Sequence, residues 1–253
     1  MYALHGPETF VVDSLEVGIA IEARGVIKEF GELDDRTRVL EGIDLAILRG
    51  EMAAITGSTG SGKSTLLACL SGLENVSGGQ ILINEKNITG MREKALAIMR
   101  NRTIGFVFQH FNLIGSLTAQ ENVELSIMLG SGFDQNPRDR AGELLELVGL
   151  SHCLQHLPAE LSRGEQKRVA VARALANDPD ILFADDPTGN LDWRSEATIL
   201  DLLLDLNQRF KKTLVIVTHN PDIACHCDRI LHLESGRIVS TSQSYAFRER
   251  ASA

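Results

Sequence analysis

A glycine-rich segment near residue 60 has the composition of a phosphate-binding loop. It fits the pattern G-x-x-x-x-G-K-[ST] and consists of Gly57, Ser58, Thr59, Gly60, Ser61, Gly62, Lys63, Ser64 and Thr65. Glycines let several backbone N–H groups converge on one point, and the start of the helix that follows favours an anion there. The Lys63 ammonium suits β- and γ-phosphates, and the Ser64 hydroxyl suits Mg²⁺. The segment predicts phosphate binding, but by itself it fits a kinase, a GTPase or a transport ATPase.

Two carboxylates end an apolar run later in the chain. Asp185 and Asp186 follow Ile181–Ala184, which has the composition of a buried strand. At the end of such a strand Asp185 would lie near Mg²⁺, through a water, and Asp186 would lie where an attacking water sits. The alternative is a strand that ends in an acidic turn, because Pro187, Thr188 and Gly189 come next.

A third segment combines a helix start with a possible anion site. Ser162 and Glu165 form an S-x-x-E capping box before the helical run Gln166–Leu175. One interpretation is simply a well-capped helix. The functional interpretation is a second helix N-terminus that faces an anion.

The elements that must position these residues are short strands alternating with helices. The predicted strands are Ile19–Glu22, Val39–Leu48, Glu51–Thr56, Gln80–Asn84, Ile104–Phe108, Ile181–Ala184, Leu214–Thr218, Ile230–Glu234 and Arg237–Ser240. Their alternation with helical runs predicts βαβ units and a partly parallel sheet. Between about residues 91 and 165 the apolar spacing is mostly helical, as in Glu121–Leu129 and Arg140–Val148, which predicts a helical lobe inserted into an α/β core.

Composition limits the class of protein. The chain has 253 residues, 43% of them hydrophobic, and a formal net charge of −9, which argues against a nucleic-acid partner. No apolar run approaches the roughly 20 residues of a membrane-spanning helix, and residues 1–15 lack the basic start of a secretory signal. The cysteines Cys69, Cys153, Cys225 and Cys227 are too sparse for a disulfide framework. We therefore expect a cytosolic protein.

Six motifs in one order make the chain resemble the ABC ATPase family over roughly residues 20–243. They are the phosphate loop, Gln109 at the end of Phe106–Gln109, the signature segment Leu161–Glu165, the carboxylates Asp185 and Asp186, the Asp loop Gly189–Asp192, and Thr218–Asn220 with His219. The resemblance implies an α/β fold: a P-loop NTPase core with a mixed sheet, an N-terminal antiparallel β part and an inserted α-helical lobe. Residues 19–243 would form the ATP-binding domain, residues 1–18 an extension and residues 244–253 a tail.

The resemblance also implies ATP and Mg²⁺ as ligands and a role for each motif residue. Phe30 would stack on adenine, Ser64, Gln109 and Asp185 would serve the metal ion, and Asp186, Gln109 and His219 would act in hydrolysis. The signature residues would bind the ATP held by an opposite subunit in a head-to-tail pair, preferably of identical chains, with Asp192 linking the two sites; these residues are Ser162, Arg163, Gly164 and Glu165.

Two positions depart from the family pattern. Asp186 stands where the family usually has Glu, and this shorter carboxylate leads to the hypothesis of slow hydrolysis. Arg163 stands where the signature usually has Gly, and its side chain could attract the partner's phosphates, clash with them, or point to solvent.

Other segments suggest the type of ABC protein. Asp186–Asp192 and His110–Ile114, with Leu117–Thr118 and Glu121–Val123, resemble the Lol-type lipoprotein-releasing and macrolide-exporter subfamily. That resemblance implies a transmembrane permease partner, docked near Phe111, Leu113 and Ile114, and a place on the cytoplasmic face of the inner membrane. A regulator of a membrane protein without cargo, of the cell-division type, and a catalytically weak regulatory subunit remain alternatives.

Two further features receive plain interpretations. The Cys225–Cys227 segment, with His226 at its centre, matches no common zinc spacing, and we predict a packed helical turn over Pro221–Cys227. Trp193 directly follows Asp192 and is expected at the surface.

Overall fold

A computed structural model describes residues 18–31, 35–130 and 135–243. The tail predicted at 244–253 and nearly all of the extension predicted at 1–18 lie outside these residues. The strands are β1 (Ile19–Phe30), β2 (Thr37–Leu48), β3 (Met52–Thr56), β4 (Gly78–Ile83), β5 (Lys86–Asn87), β6 (Ile104–Val107), β7 (Ile181–Asp185), β8 (Thr213–Val217), β9 (Arg229–Glu234) and β10 (Arg237–Gln243). The helices are α1 (Lys63–Leu70), α2 (Glu93–Thr103), α3 (Ala119–Met128), α4 (Pro137–Leu147), α5 (Arg163–Ala174), α6 (Trp193–Gln208) and α7 (Pro221–His226).

The strands form two sheets. The N-terminal sheet has the order β2-β1-β4-β5 and is antiparallel throughout. The larger sheet has the order β10-β9-β3-β8-β7-β6, in which β9, β3, β8, β7 and β6 are parallel and β10 is an antiparallel edge strand. Parallel neighbours end at the same edge of a sheet, so the loops after β3, β6, β7 and β8 converge.

The larger sheet is buried on both faces. In β7, Phe183 packs in the core formed with β1, β2 and α1, whereas Leu182 and Ala184 pack in the core formed with α3, α4, α5 and α6. Strands with two buried faces are apolar at every position, which explains the continuous apolar runs in the sequence. Helices α3 and α4 pack against each other and against α5.

The predicted fold class is confirmed, with the mixed sheet, the antiparallel N-terminal part and the helices in place. Most strands lie within a few residues of their predicted positions. Strand β1 is the exception, because it continues to Phe30, well beyond the predicted end at Glu22. The prediction ended too early because the pairing of β1 with β2 is irregular between Ala23 and Val26. Gly25 has a φ of 56° there, and the alternation of buried and exposed residues is broken. Among the described residues, no helix is both long and apolar enough to cross a lipid bilayer.

Candidate functional site

The phosphate loop connects β3 to α1 and depends on its glycines. Gly57 has a φ of 145°, and a Cβ there would lie 2.0 Å from the carbonyl oxygen of Leu233. Gly62 caps α1 with a φ of 102°, a left-handed conformation that disfavours other residues. The first N–H groups of α1, on Lys63, Ser64 and Thr65, have no acceptor within the helix and are free to bind an anion.

Lys63 lies across this loop. Its Nζ donates to the carbonyl oxygens of Gly57, at 3.0 Å, and Ser58, at 2.7 Å. Burial lowers the pKa of Lys63, while Asp185 and Asp186 act in the opposite direction. The ammonium is therefore held at the loop, beside the two carboxylates.

Ser64 and Asp185 bring two oxygen donors together. The Ser64 hydroxyl donates to Asp185 Oδ1 at 3.1 Å, which joins the first turn of α1 to the end of β7. Burial raises the pKa of Asp185, with a smaller opposing effect from the Ser64 hydrogen bond. Hydroxyl and carboxylate oxygens are ligands that Mg²⁺ prefers, so this pair fits the ion.

Ser61 supplies an independent indication that the loop accepts a polar group. It is 4% exposed, and its Oγ is buried without a hydrogen-bond partner among the described residues. A buried hydroxyl with no partner is costly, and a phosphate oxygen would satisfy it. The residues present therefore fit a nucleotide phosphate.

Asp186 is fixed at the end of β7 by its backbone and by a glycine. Its φ is 43°, and its N–H donates to the Val217 carbonyl at 2.8 Å. A Cβ on Gly189 would lie 2.4 Å from Asp186 Oδ2, so the carboxylate occupies the space that Gly189 leaves. Gln109 Nε2 lies 3.5 Å from the same oxygen, which places the amide beside the carboxylate.

His219 follows β8, the neighbour of β7, and is exposed. The residues on each side of it are well anchored: the Thr218 N–H donates to the Ile55 carbonyl, and Asn220 caps α7. His219 therefore lies at the sheet edge where β3 and β7 also end, consistent with the predicted position near the phosphates.

The signature segment begins α5 with the predicted capping box. Ser162 Oγ accepts from the Glu165 N–H at 3.3 Å, and Glu165 Oε2 accepts from the Ser162 N–H at 2.8 Å. The Ser162 hydroxyl also donates to Glu165 Oε2 at 2.7 Å, and this bond, followed by the one from the Ser162 N–H, is the main cause of a lowered pKa for Glu165. Within the described residues, no hydrogen bond or ion pair of this segment reaches the phosphate loop.

The signature segment instead contacts the Asp loop of the same chain. Gly164 is buried against α6, and a Cβ on it would lie 2.4 Å from Ser195 Oγ. That hydroxyl donates to Asp192 Oδ2 at 2.8 Å, while Asp192 caps α6. Arg163 is exposed, and its Nη1 lies 3.5 Å from the Asn190 carbonyl oxygen.

Phe30 is an exposed aromatic ring at the end of β1. It is 42% exposed, and Lys28 Nζ lies 4.5 Å from its centroid. Lys28 is itself held by Glu74, at 2.7 Å, and by the Asn75 carbonyl, at 2.8 Å. The ring is thus supported at the surface, where a flat base could stack on it.

The remaining candidates have ordinary environments. Trp193 is 73% exposed, as predicted. The segment before Cys227 forms α7, so the predicted helical turn is confirmed; Cys225 is exposed, whereas Cys227 is buried and its Sγ donates to the Ile223 carbonyl.

The structure brings one group of predicted residues together and adds contacts of three other residues that the sequence did not indicate. Lys63, Ser64, Asp185, Asp186 and Gln109 surround one point at the edge of the larger sheet. The added residues, which act through packing or hydrogen bonds, are Lys167, Gly189 and Ser195. Gly189 and Ser195 fall in or beside a recognised motif, but no local pattern gives their contacts.

A glycine-rich loop between a strand and a helix, with carboxylates at the end of a nearby parallel strand, defines a P-loop nucleotide-binding protein. A family model described as ABC transporter matches residues 40–189. The chain belongs to this family, as an ATP-binding subunit, and the predicted resemblance is confirmed.

Several relatives match nearly the whole chain. The "Uncharacterized ABC transporter ATP-binding protein YbbA" of Escherichia coli (strain K12) is 45% identical over 218 residues, which is 86% of this chain and 96% of the relative. The "Lipoprotein-releasing system ATP-binding protein LolD" of Pseudomonas fluorescens is 42% identical over 220 residues, 87% of this chain and 97% of the relative. The ATP-binding cassette MJ0796, in a dimeric post-hydrolysis state bound to ADP and Pi, matches with a TM-score of 0.82 at 37% identity, covering 88% of this chain and 98% of its own.

Proposed function

We propose that this subunit binds and hydrolyses Mg-ATP to drive a separate membrane permease. The observation that carries the proposal is the convergence of Lys63, Ser64 and Asp185 at one edge of the sheet, with Asp186 and Gln109 beside them. The proposed ATP-binding domain spans residues 19–243, with the helical lobe at about 91–165.

Each residue has a role that its environment supports. Lys63, held by loop carbonyls, pairs with the β- and γ-phosphates, and the N–H groups at the start of α1 hold the same anion. Ser64 and Asp185 would hold Mg²⁺, with Gln109 as a further ligand. Bound Mg²⁺ would neutralise phosphate charge. Lys63 would therefore pair with phosphates whose negative charge Mg²⁺ partly neutralises.

Hydrolysis requires a water held in line with the γ-phosphate. Asp186 is the general base, because its backbone is fixed by Val217 and its carboxylate lies against Gly189, beside the Gln109 amide. Gln109 orients the same water through its amide, and His219 contacts the γ-phosphate from the end of β8.

The active form we propose is a head-to-tail dimer of identical chains. The signature segment has no hydrogen bond or ion pair to its own phosphate loop within the described residues, while Ser162 and Arg163 are exposed at a helix N-terminus. Ser162, Gly164 and Glu165, with Arg163, would therefore bind the ATP of the second subunit. Asp192, exposed at the start of α6 and joined to Gly164 through Ser195, would link the two sites. The structure of MJ0796 is dimeric and bound to ADP and Pi, which supports a dimer as the active form.

The family and a set of exposed apolar side chains support the proposal of a permease partner. Ile114, Met128 and Leu129 are 43%, 64% and 72% exposed on or near α3. These three side chains are available for docking. Leu113, which was also predicted to dock, packs against the core. Docking there would hold the subunit at the cytoplasmic face of the inner membrane. The LolD relatives favour lipoprotein release, or a related export of macrolides or lipids.

A second candidate is a subunit that binds ATP but hydrolyses it slowly. The observation in its favour is Asp186, whose carboxylate is one methylene shorter than that of Glu. Such a subunit would regulate a permease, or would pair with a different, more active subunit.

The decisive experiment is Mg²⁺-dependent phosphate release by the purified protein, with Lys63→Ala as the matched control. We expect turnover that requires Mg²⁺ and is lost in the control. ATP binding without turnover would support the regulatory candidate instead. Absence of both ATP binding and turnover would contradict the proposal.

Dimer formation can be tested through the sole tryptophan. Trp193 is exposed next to Asp192, so a partner subunit that covers the Asp loop should shift its emission to shorter wavelength. We expect this shift when ATP is added to Asp186→Asn, together with dimer formation in sedimentation. The double variant with Lys63→Ala should show neither change. A monomer at saturating ATP would count against the dimer.

A further inference from the structure

Lys167 is a fully buried lysine for which the proposed chemistry has no role. It lies on α5, is 0% exposed, and is among the largest fully buried side chains of the described residues. Its Nζ donates to two successive carbonyl oxygens, those of Phe108 at 3.0 Å and Gln109 at 2.9 Å. A buried ammonium is costly, so these two bonds need a structural or functional explanation.

The surroundings of Lys167 offset part of the cost of burying a cation. Nζ lies 5.2 Å from the centroid of the Phe111 ring, a favourable position for a cation. Burial lowers the pKa of Lys167 to about 8, while Asp186 and Asp185 favour the charged form. The ammonium is therefore stabilised by the carboxylates of the site and by the loop that carries Gln109.

A second cation on the same helix holds the rest of this loop. Arg173 donates to the carbonyl oxygens of Phe111 and Asn112. Lys167 and Arg173, which we call the carbonyl clamp, thus bind four carbonyl oxygens within residues 108–112. This segment begins where β6 ends at Val107 and lies well before the start of α3 at Ala119, so it has no helix or strand of its own.

The clamp joins three parts of the site. Gln109 lies beside Asp186 through its side chain and is held to α5 through its backbone. The same helix begins at the signature segment, capped by Ser162. Helix α5 therefore connects the signature segment to the backbone of Gln109.

We propose that Lys167 is a positioning residue for hydrolysis, which holds the backbone of Gln109 so that its amide faces the carboxylate of Asp186. This inference rests on the proposed ATPase function. Without Lys167, two partly buried carbonyls lose their donor and the loop moves toward another one. A displacement of about 1 Å at a catalytic group can lower the rate by about 100-fold.

The test compares Lys167→Met with wild type and with Lys212→Met. Methionine keeps the length and apolar character of the stem but has no N–H donors. Lys212 is a matched control because it is also largely covered, with 13% of its side chain exposed, and pairs with Asp178 through Nζ at 2.7 Å. The measurements are kcat, KM, the Kd of ATP, Tm, and the amide exchange rate of a peptide that covers residues 106–113.

Lys167→Met should lower kcat by about 10- to 100-fold while the Kd of ATP changes by less than about threefold. Amide exchange in the 106–113 peptide should become at least about tenfold faster. Lys212→Met should leave both quantities unchanged. Lys167→Gln, which keeps two N–H donors on a shorter side chain, should lie between wild type and Lys167→Met.

A folded Lys167→Met protein with wild-type exchange at 106–113 would overturn the inference, as would a kcat within about twofold of wild type. If Lys167→Met does not fold, the same comparison is made with Lys167→Gln. If the wild type shows no turnover, the proposed ATPase function fails. The exchange measurement would then still decide whether Lys167 holds the loop.

Discussion

The contact between the signature segment and the Asp loop can be tested with one methyl group. Gly164→Ala would place a Cβ 2.4 Å from Ser195 Oγ and 2.9 Å from Ser195 Cβ, where 3.4–4 Å is an ordinary contact. The hydroxyl could rotate away only by leaving Asp192, which it contacts at 2.8 Å. The Cβ contact cannot be relieved by rotation, so α5 and α6 must separate by some tenths of an ångström.

The expected cost follows from two opposing effects. Overpacking of this kind costs about 1–3 kcal/mol. Alanine is favoured over glycine in a helix by up to about 1 kcal/mol, although the gain is smaller in the first turn. The net loss of stability should therefore be about 1–2 kcal/mol, which lowers Tm by about 2–8 °C for a chain of this size.

The assay is thermal unfolding of Gly164→Ala in two backgrounds, wild type and Ser195→Gly. The second background removes both atoms that the new methyl group would meet, so there Gly164→Ala should be neutral or slightly stabilising. Gly142→Ala serves as the matched control. Gly142 also lies in a helix, but a Cβ there would meet only Gln120 Nε2 at 3.8 Å, so this change should raise Tm.

An equal fall in Tm in the two backgrounds would contradict the contact with Ser195 as the cause. That result would mean that Gly164 is needed for its backbone and not for its contact with Ser195. If the contact is as described, Gly164→Ala should also weaken the ATP-dependent emission change of Trp193, because the displaced residues include those beside Asp192.

Three other predictions use separate measurements. Asp186→Asn should lower ATP turnover by about 10²–10⁴-fold with ATP binding retained. Asp186→Glu should hydrolyse ATP faster than wild type. Equal turnover in wild type and Asp186→Glu would dismiss the hypothesis that the shorter carboxylate slows hydrolysis. Glu165→Gln should lower Tm at pH 7. Because hydrogen bonds lower the folded-state pKa of Glu165 below its usual value of 4.5, the stabilisation is fully present above pH 4.5 and is lost as pH falls through the folded-state pKa. The Tm difference between Glu165→Gln and wild type should therefore shrink in acid, and a constant difference would contradict this account. A thiol reagent should label Cys225 rapidly in the native protein and the three buried cysteines only after unfolding. Burial also raises the pKa of those three thiols, which lowers their reactivity. The control is Cys225→Ser, which should show no rapid labelling.

The sequence by itself determined the features that are local in the chain. The phosphate loop at 57–65 was recognisable because its glycines, lysine and serine act through the backbone of one continuous segment. The capping box of Ser162 and Glu165 and the buried strand before Asp185 were recognisable for the same reason. These local patterns, in a fixed order, were enough to predict the α/β fold and the family.

Only the tertiary structure decided how distant segments meet. Gln109 and Asp186 lie 77 positions apart in the chain, and Lys167 and Gln109 lie 58 apart, yet each pair is in contact. The sequence of α5 gives no sign that Lys167 is buried, because a lysine in a helix is usually solvated and becomes buried only when a loop supplies acceptors. Such contacts depend on the packing of α5 against the loop after β6, and this packing is a property of the whole fold.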